Sequence, residues 1–235
     1  MEESGFSVTD EQAEKLFHYY EILVKWNEVM NLTAITEFED VARKHFADSL
    51  TLNRALDLTK IRTLIDVGTG AGFPGLPLAI CYPDIEVTLL DSLNKRVKFL
   101  QNVIEELELK NVTAIHARAE EGARQKNLRE HFDVAVSRAV ANLSTLSEYC
   151  LPYVRVGGFF TAYKSVRLEE EMEQAQKALK ILGGNCEGVT GFSLFDMERE
   201  LVTIKKVKKT PGTYPRKAGT PSRSPLGEEK NKQHA

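Results

Sequence analysis

A chain of 235 residues has room for one globular domain of fair size and a smaller extension. Its composition, 42% hydrophobic and 28% charged, is that of an ordinary folded protein, and no apolar run approaches the ~18 residues that a membrane helix needs. The net charge of −3 conceals an asymmetry: from Lys205 onward nine Lys/Arg face only Glu228 and Glu229, which leaves −10 on the rest. A basic end on an acidic body fits either a polyanionic partner or a solvated tail. Met1 to Gln12 is polar and acidic, unlike a secretory leader. Cys81, Cys150 and Cys186 are far apart in apolar contexts and predict buried thiols in a reducing cytoplasm. No Cys-x-x-Cys or His-x-x-x-His occurs, so no metal site is expected. Nothing demands more than a monomer.

Thr9 to Met30 predicts a helix. Thr9 and Gln12 have capping-box spacing, and Ala13, Leu16, Phe17, Tyr20, Leu23 and Val24 recur at helical intervals. At its end, Asn27 and Asn31 are four apart beside Trp26. They fit either a polar surface around an exposed tryptophan that touches substrate, or a helix stop. Glu39 to Asp57 predicts a second helix, with His45, Asp48, Ser49 and Leu52 on one face. His45 beside Asp48 is either structural or functional on this pattern.

From Ile61 the pattern alternates. Strands are expected over residues 62–67, 85–90, 112–117, 132–137, 158–164, 186–194 and 201–207, with helices over 74–82, 94–107, 121–128, 143–153 and 168–182. Short connections argue for a mostly parallel sheet covered on both faces. The last two strands are joined only by Phe195-Asp196-Met197-Glu198, which predicts an antiparallel hairpin at one edge. After Val207 periodicity is lost in a Pro- and Gly-rich basic stretch around Tyr214, too poor in apolar surface to fold alone. It would lie on the core or on RNA, and the composition of Glu228 to Ala235 predicts disorder. The expected division is a helical extension over 1–58, a core over 59–208 and a basic, partly disordered arm over 209–235.

The first strand runs into Asp66-Val67-Gly68-Thr69-Gly70-Ala71-Gly72-Phe73-Pro74-Gly75. Strand, glycine turn and helix form a nucleotide-type cofactor loop, in which glycines admit the ligand to the backbone. A dinucleotide loop would have its third glycine where Phe73 stands, and a phosphate-binding loop would have Gly-Lys-Ser/Thr. An acidic residue followed by glycines at 68, 70 and 72 resembles instead the first motif of class I S-adenosylmethionine (SAM) methyltransferases. Asp91 ends the second strand 19 residues after Gly72. A carboxylate there can accept from ribose hydroxyls, or cap the following helix.

Three more strand tips complete the expected site. Ala119 and Glu120 follow the third strand, where backbone or carboxylate can bond an adenine amino edge. Ser137-Arg138-Ala139-Val140 follows the fourth, beside the reacting methyl group. This tip lacks Asn/Asp-Pro-Pro-Tyr/Phe, which argues against an exocyclic amine as acceptor, and lacks a Pro-Cys pair, which argues against a covalent pyrimidine route. Arginine can meet guanine N7 and O6, and N7 needs no general base. Arg138 equally suits cofactor or phosphate. Lys164, at the end of the fifth strand, is a second cation near the rim, or a solvated strand end.

The sum of these features resembles the RsmG (GidB) family, bacterial methyltransferases of guanine N7 in 16S ribosomal RNA of the small subunit. The resemblance rests on Trp26-Asn27…Asn31-Leu32-Thr33, His45-Phe46…Asp48-Ser49, the glycine loop, Asp91-Ser92…Lys95-Arg96, Arg118-Ala119-Glu120, Ser137-Arg138-Ala139 and Tyr214-Pro215-Arg216-Lys217…Gly219…Pro221. It implies an α/β, Rossmann-like class I methyltransferase core with a seven-stranded sheet, and SAM bound by Gly68, Gly70, Phe73, Asp91, Ala119, Glu120 and Arg138. It suggests that Asn31, His45, Arg216 and Lys217 serve the RNA. Where the family pattern places Gly after the lysine matching Lys164, this chain has Ser165. The rival readings are a methyltransferase of the same fold acting on another RNA, a protein or a small molecule, and a non-catalytic RNA-binding assembly factor.

Overall fold

The computed structural model describes residues 7–138, 141–165 and 169–227. Ala139, Val140, Leu168 and the tail from Glu228, each with an expectation attached above, lie outside them.

Helix α1 (Asp10–Met30) opens with the expected capping box: Thr9 Oγ1 accepts from Gln12 N, and Gln12 Oε1 accepts from Thr9 N. Its buried face is Leu16, Tyr19, Ile22 and Leu23 rather than one containing Phe17, which is 47% exposed. Phe17 and Tyr20 instead meet Phe38 edge-on, at 5.3 and 5.0 Å between ring centroids. Trp26 is half-buried, against the expectation of an exposed ring: its Nε1 donates to Asn102 and its edge meets Phe99. The second helical stretch is α2 (Phe38–Val41), a π-helical turn (Ala42–Ala47), α3 (Asp48–Leu50) and a 3₁₀ turn (Thr51–Arg54). The π turn carries Lys44 and His45; such turns shift the register of side chains along a helix and often mark functional positions.

The remaining helices are α4 (Gly75–Cys81), α5 (Asn94–Glu106), α6 (Ala119–Gly122), α7 (Leu143–Cys150), α8 (Glu169–Leu182) and α9 (Thr220–Arg223). The strands are β1 (Thr63–Val67), β2 (Glu86–Asp91), β3 (Val112–His116), β4 (Phe132–Ser137), β5 (Val154–Lys164), β6 (Gly184–Leu194) and β7 (Met197–Lys206). They form one sheet in the order β3-β2-β1-β4-β5-β7-β6. The first five pair in parallel and β7 is antiparallel to both neighbours, so the expected edge hairpin is present.

The central strands β1, β2 and β4 are buried on both faces, which is why they read as apolar runs rather than alternating ones, whereas the edge strands β3 and β6 are largely exposed or half-buried. Along β1, Leu64 faces a core shared with α1, α4 and α5, while Ile65 and Val67 face one shared with α7 and α8. The N-terminal helices cover the first face; Tyr214 and Leu226 of the arm pack on the second. The arm, residues 207–227, is laid on the core. Arg129 donates to the carbonyls of Thr210 and Tyr214, Arg124 to that of Pro215, and Thr145 to that of Pro221. A segment without regular structure must find such partners for its backbone groups.

Candidate functional site

Parallel strands place their carboxyl ends on one rim, and the loops after β1 to β4 meet there. The loop after β1 is held from below by Asp66. Its Oδ2 accepts from Thr69 Oγ1 at 2.6 Å and from Gly75 N at 2.8 Å. Burial pushes the Asp66 carboxyl up to about 6 despite these donors. From above, Asp91 accepts from Gly70 N at 3.0 Å and Leu93 N at 2.8 Å, with Arg96 at 3.4 Å. Asp91 therefore both fixes the loop and caps the turn into α5, while its carboxylate sits at the tip of β2. Gly70 has φ +63 with open space where a side chain would be, so the loop leaves its upper side clear. Gly72 has φ +100, and a Cβ there would lie 2.8 Å from the Tyr19 hydroxyl and 2.4 Å from Leu76 Cδ1.

Tyr19 is where the N-terminal extension grips this loop. Its hydroxyl donates to the carbonyl of Ala71, and its ring lies 5.5 Å from that of Phe73. Phe73 is 5% exposed, stacks on His45 at 4.5 Å and carries the Arg138 guanidinium 5.1 Å above its ring. Apolar periodicity alone does not distinguish Tyr19 from the other residues of α1.

Arg138, at the tip of β4, is held by the extension. It donates to Asp48 Oδ2 at 2.8 Å, to the carbonyl of Lys44 at 3.2 Å and towards His45 Nδ1 at 3.3 Å. Asp48, 2% exposed, also accepts from Arg199 of β7 at 2.8 Å. A guanidinium has no acceptor, so His45 Nδ1 accepts and its Nε2 carries the proton, donating to Thr33 Oγ1 at 3.0 Å. Burial, then the charge of Arg138, lowers the His45 pKa to about 4. His45 is thus a neutral ring bound into the site wall. Asn31 is the left-handed C-cap of α1 (φ 48, ψ 57) with an exposed side chain, and Asn27 Oδ1 accepts from Thr33 N. The Asn27…Asn31-Leu32-Thr33 pattern is therefore a helix stop that also delivers Thr33 to His45. Lys164 is not a solvated strand end: its ammonium donates to Ala141 O and to Glu171 Oε2, both at 2.7 Å. Glu171 in turn accepts from Leu143 N, so Lys164 ties the entry to α7 to α8.

The ends of β1 to β4, the loops after β1, β2 and β3, α7 and the arm line a cavity of about 220 Å³. Its lining includes Gly68, Ser92, Ala119, Glu120, Ser137 and, from the arm, Gly219. Ala119 is fixed by its carbonyl, which accepts from the Tyr153 hydroxyl at 2.7 Å. Glu120, 5% exposed, accepts from Gly219 N at 2.7 Å. Arg216, expected to serve RNA, is engaged elsewhere. Its guanidinium forms a two-pronged pair with Glu148, at 2.7 to 3.1 Å, and donates to Ser224 O. Glu148 is fully buried on α7, so this pair is part of the packing rather than a free phosphate ligand. The adjacent Lys217 is exposed. Glu148 lies 68 residues from Arg216 and sequence spacing does not signal the pair.

Of the residues expected to hold the cofactor, Gly68, Ala119 and Glu120 line the cavity, while Gly70, Gly72, Phe73, Asp91 and Arg138 are not in its lining and Asp91 is joined to the glycine loop through Gly70 N. An open glycine backbone, a carboxylate at the second strand tip and an acidic group at the third fit the adenosine part of SAM. Among the described residues, no group of three or more His, Cys, Asp or Glu could hold a metal, and no helix is long and apolar enough to cross a membrane.

Fold and site together define a class I SAM-dependent methyltransferase. Solved structures share the fold at low identity. A point mutant of MtNAS in complex with S-adenosylmethionine superposes with TM-score 0.53 at 16% identity, over 84% of this chain and 72% of that one. M. jannaschii TYW2 in complex with AdoMet gives 0.51 at 14%, over 63% and 70%. The family described as GidB, rRNA small subunit methyltransferase G, matches residues 12–202, and the chain belongs to it. Relatives named ribosomal RNA small subunit methyltransferase G are 54% identical in Lachnoclostridium phytofermentans, over 94% of this chain and 93% of that protein, and 49% in Bacillus velezensis, over 95% of each.

Proposed function

We infer that the protein transfers a methyl group from SAM to N7 of one guanine in the 16S ribosomal RNA of the small subunit. The observation that carries this reading is the cavity lined by Gly68, Ala119 and Glu120, with Asp91 fixing the loop beside it, in a chain of this family. SAM, when bound, supplies an electrophilic methyl group. Guanine N7 has a free lone pair, so the protein's work is to position the acceptor and keep water away.

The site residues have separate parts in this reading. Gly68, Gly70, Gly72 and Phe73 shape the loop, Asp91 meets the ribose, and Ala119 with Glu120 meets the adenine. Arg138 keeps one orientation because Asp48, His45 and Phe73 hold it, and a fixed cation on the rim can orient cofactor or base without reorganising. Lys164 acts through its grip on Ala141 and Glu171, which ties the start of α7 to α8. Asn31 and Lys217, both exposed, are the candidate RNA contacts. A target base in structured RNA has to leave its stack to reach such a cavity. The division into 1–58, 59–208 and 209–235, a monomeric state, action on the 30S subunit or its assembly intermediate, and a cytoplasmic location belong to the same proposal.

The test is methyl transfer from labelled SAM to 30S subunits of a strain lacking the enzyme, followed by nucleoside mass spectrometry. One 7-methylguanosine per subunit is expected. Incorporation into another nucleoside would overturn the acceptor, and no incorporation would overturn the substrate.

A further inference from the structure

We propose that the C-terminal arm is a wall of the cofactor site, and that Arg216 is the positioning residue that holds this wall through Glu148. The inference rests on reading the cavity as the SAM site and deepens it. Two arm residues, Gly219 and Ser222, line the cavity together with Ala119 and Glu120. They lie at its adenine end, where Gly219 N donates to Glu120 Oε1 at 2.7 Å. Gly219 has φ +78, the left-handed backbone that glycine accepts without strain, and this turn delivers its N–H to Glu120.

The turn is stapled across its base. Arg216 N donates to Glu148 Oε1 at 2.7 Å and the guanidinium grips both carboxylate oxygens. The same guanidinium reaches Ser224 O at 2.8 Å, so one side chain closes the segment 216–224 at both ends. Glu148 is fully buried and adjoins Tyr149, which lines the cavity together with Ser222, whose hydroxyl donates to Gly219 O. Thr145, one turn earlier on α7, donates to Pro221 O. The arm's backbone is thus set by α7, and α7 and the arm together enclose the adenine side. A planar two-pronged guanidinium–carboxylate pair fixes direction as well as distance, which a lysine cannot reproduce.

The test is calorimetric titration of SAM and of 5′-methylthioadenosine into the full chain and two variants. Ser222→Trp places bulk in the cavity without touching the Arg216–Glu148 pair, and Arg216→Lys keeps the charge but loses the fork. Ser222→Trp is expected to weaken both ligands by about tenfold or more with an unchanged melting temperature of the free protein, and Arg216→Lys by about three- to tenfold. Affinity for 30S subunits at fixed salt is expected to stay at the wild-type value in Arg216→Lys. Wild-type ligand affinities in both variants would overturn the proposal while leaving the cofactor reading intact. Loss of 30S affinity without loss of SAM affinity would overturn it in favour of an RNA role for the arm. Absence of SAM binding by the unaltered protein would overturn the cofactor reading itself.

Discussion

The N-terminal helices press Leu16, Tyr19, Ile22 and Leu23 onto one face of the sheet, and Tyr19 reaches the glycine loop through a tilted ring contact with Phe73 and one hydrogen bond. The C-terminal arm lies on the other face with far less apolar surface. Pro215 and Pro221 are buried and Tyr214 and Leu226 partly so, while arginines and one buried ion pair do the rest. Both ends of the chain close on the same rim. One is attached by area, the other by a few directed polar contacts. Area degrades gradually as side chains are trimmed. A buried ion pair fails at once when one partner goes, because the other charge is left without compensation.

The contrast breaks most directly at Arg216. Arg216→Ala leaves Glu148 buried and unpaired and is expected to cost about 3–5 kcal/mol in urea denaturation. Ile22→Val on the opposite face is expected to cost only about 0.5–1.5 kcal/mol in the same measurement. Equal costs would erase the distinction between the two attachments.

The N-terminal attachment carries a proton linkage at His45. His45 is held neutral, with its pKa lowered from 6.5 to about 4. The unfolded chain therefore takes up this proton first as pH falls. The contribution is fully present above pH 6.5 and is lost between 6.5 and 4, roughly 3 kcal/mol in all. Asp66, raised from 3.8 to about 6, has the opposite sign: the folded state holds its proton, and that contribution is lost as pH rises through 6. The two offset each other over one window. His45→Gln is accordingly expected to cost more at pH 7 than at pH 4.5, and a pH-independent cost would show that the ring is not held neutral.

At the tip of β2, against the glycine loop, Asp91→Ala removes an acceptor used by Gly70 N and Leu93 N. SAM affinity by calorimetry is expected to fall by ~1–3 kcal/mol. The smallest effect belongs to Lys217, the exposed cation beside Arg216. Lys217→Ala is expected to reduce the slope of log K against log salt for RNA by about 0.7–0.9, the share of one phosphate contact. An unaltered slope would remove Lys217 from the RNA surface.

The same contrast explains what could be read in advance. Periodicity places α1, the seven strands and the edge hairpin because apolar burial repeats with the geometry of each element. It misassigns the face of α1, since Phe17 and Tyr20 form their own cluster with Phe38. The glycine loop, Asp91 and Ala119-Glu120 are legible because each stands at a strand tip, where the topology brings them together. The π turn under His45 is not, because it is set by packing against Phe73 and Arg138 rather than by local sequence. Nor is the role of Arg216. In a Pro- and Gly-rich basic segment it resembles a phosphate ligand, and its partner Glu148 is visible only once α7 and the arm are placed side by side.

The most direct test of the claim that the glycine loop and the C-terminal arm frame one cofactor site is hydrogen–deuterium exchange with and without saturating SAM. Added protection is expected in two separate segments, the glycine loop at 68–75 and the arm at 216–224, with the β6–β7 hairpin unchanged. Protection of the loop alone, with the arm exchanging as before, would contradict it.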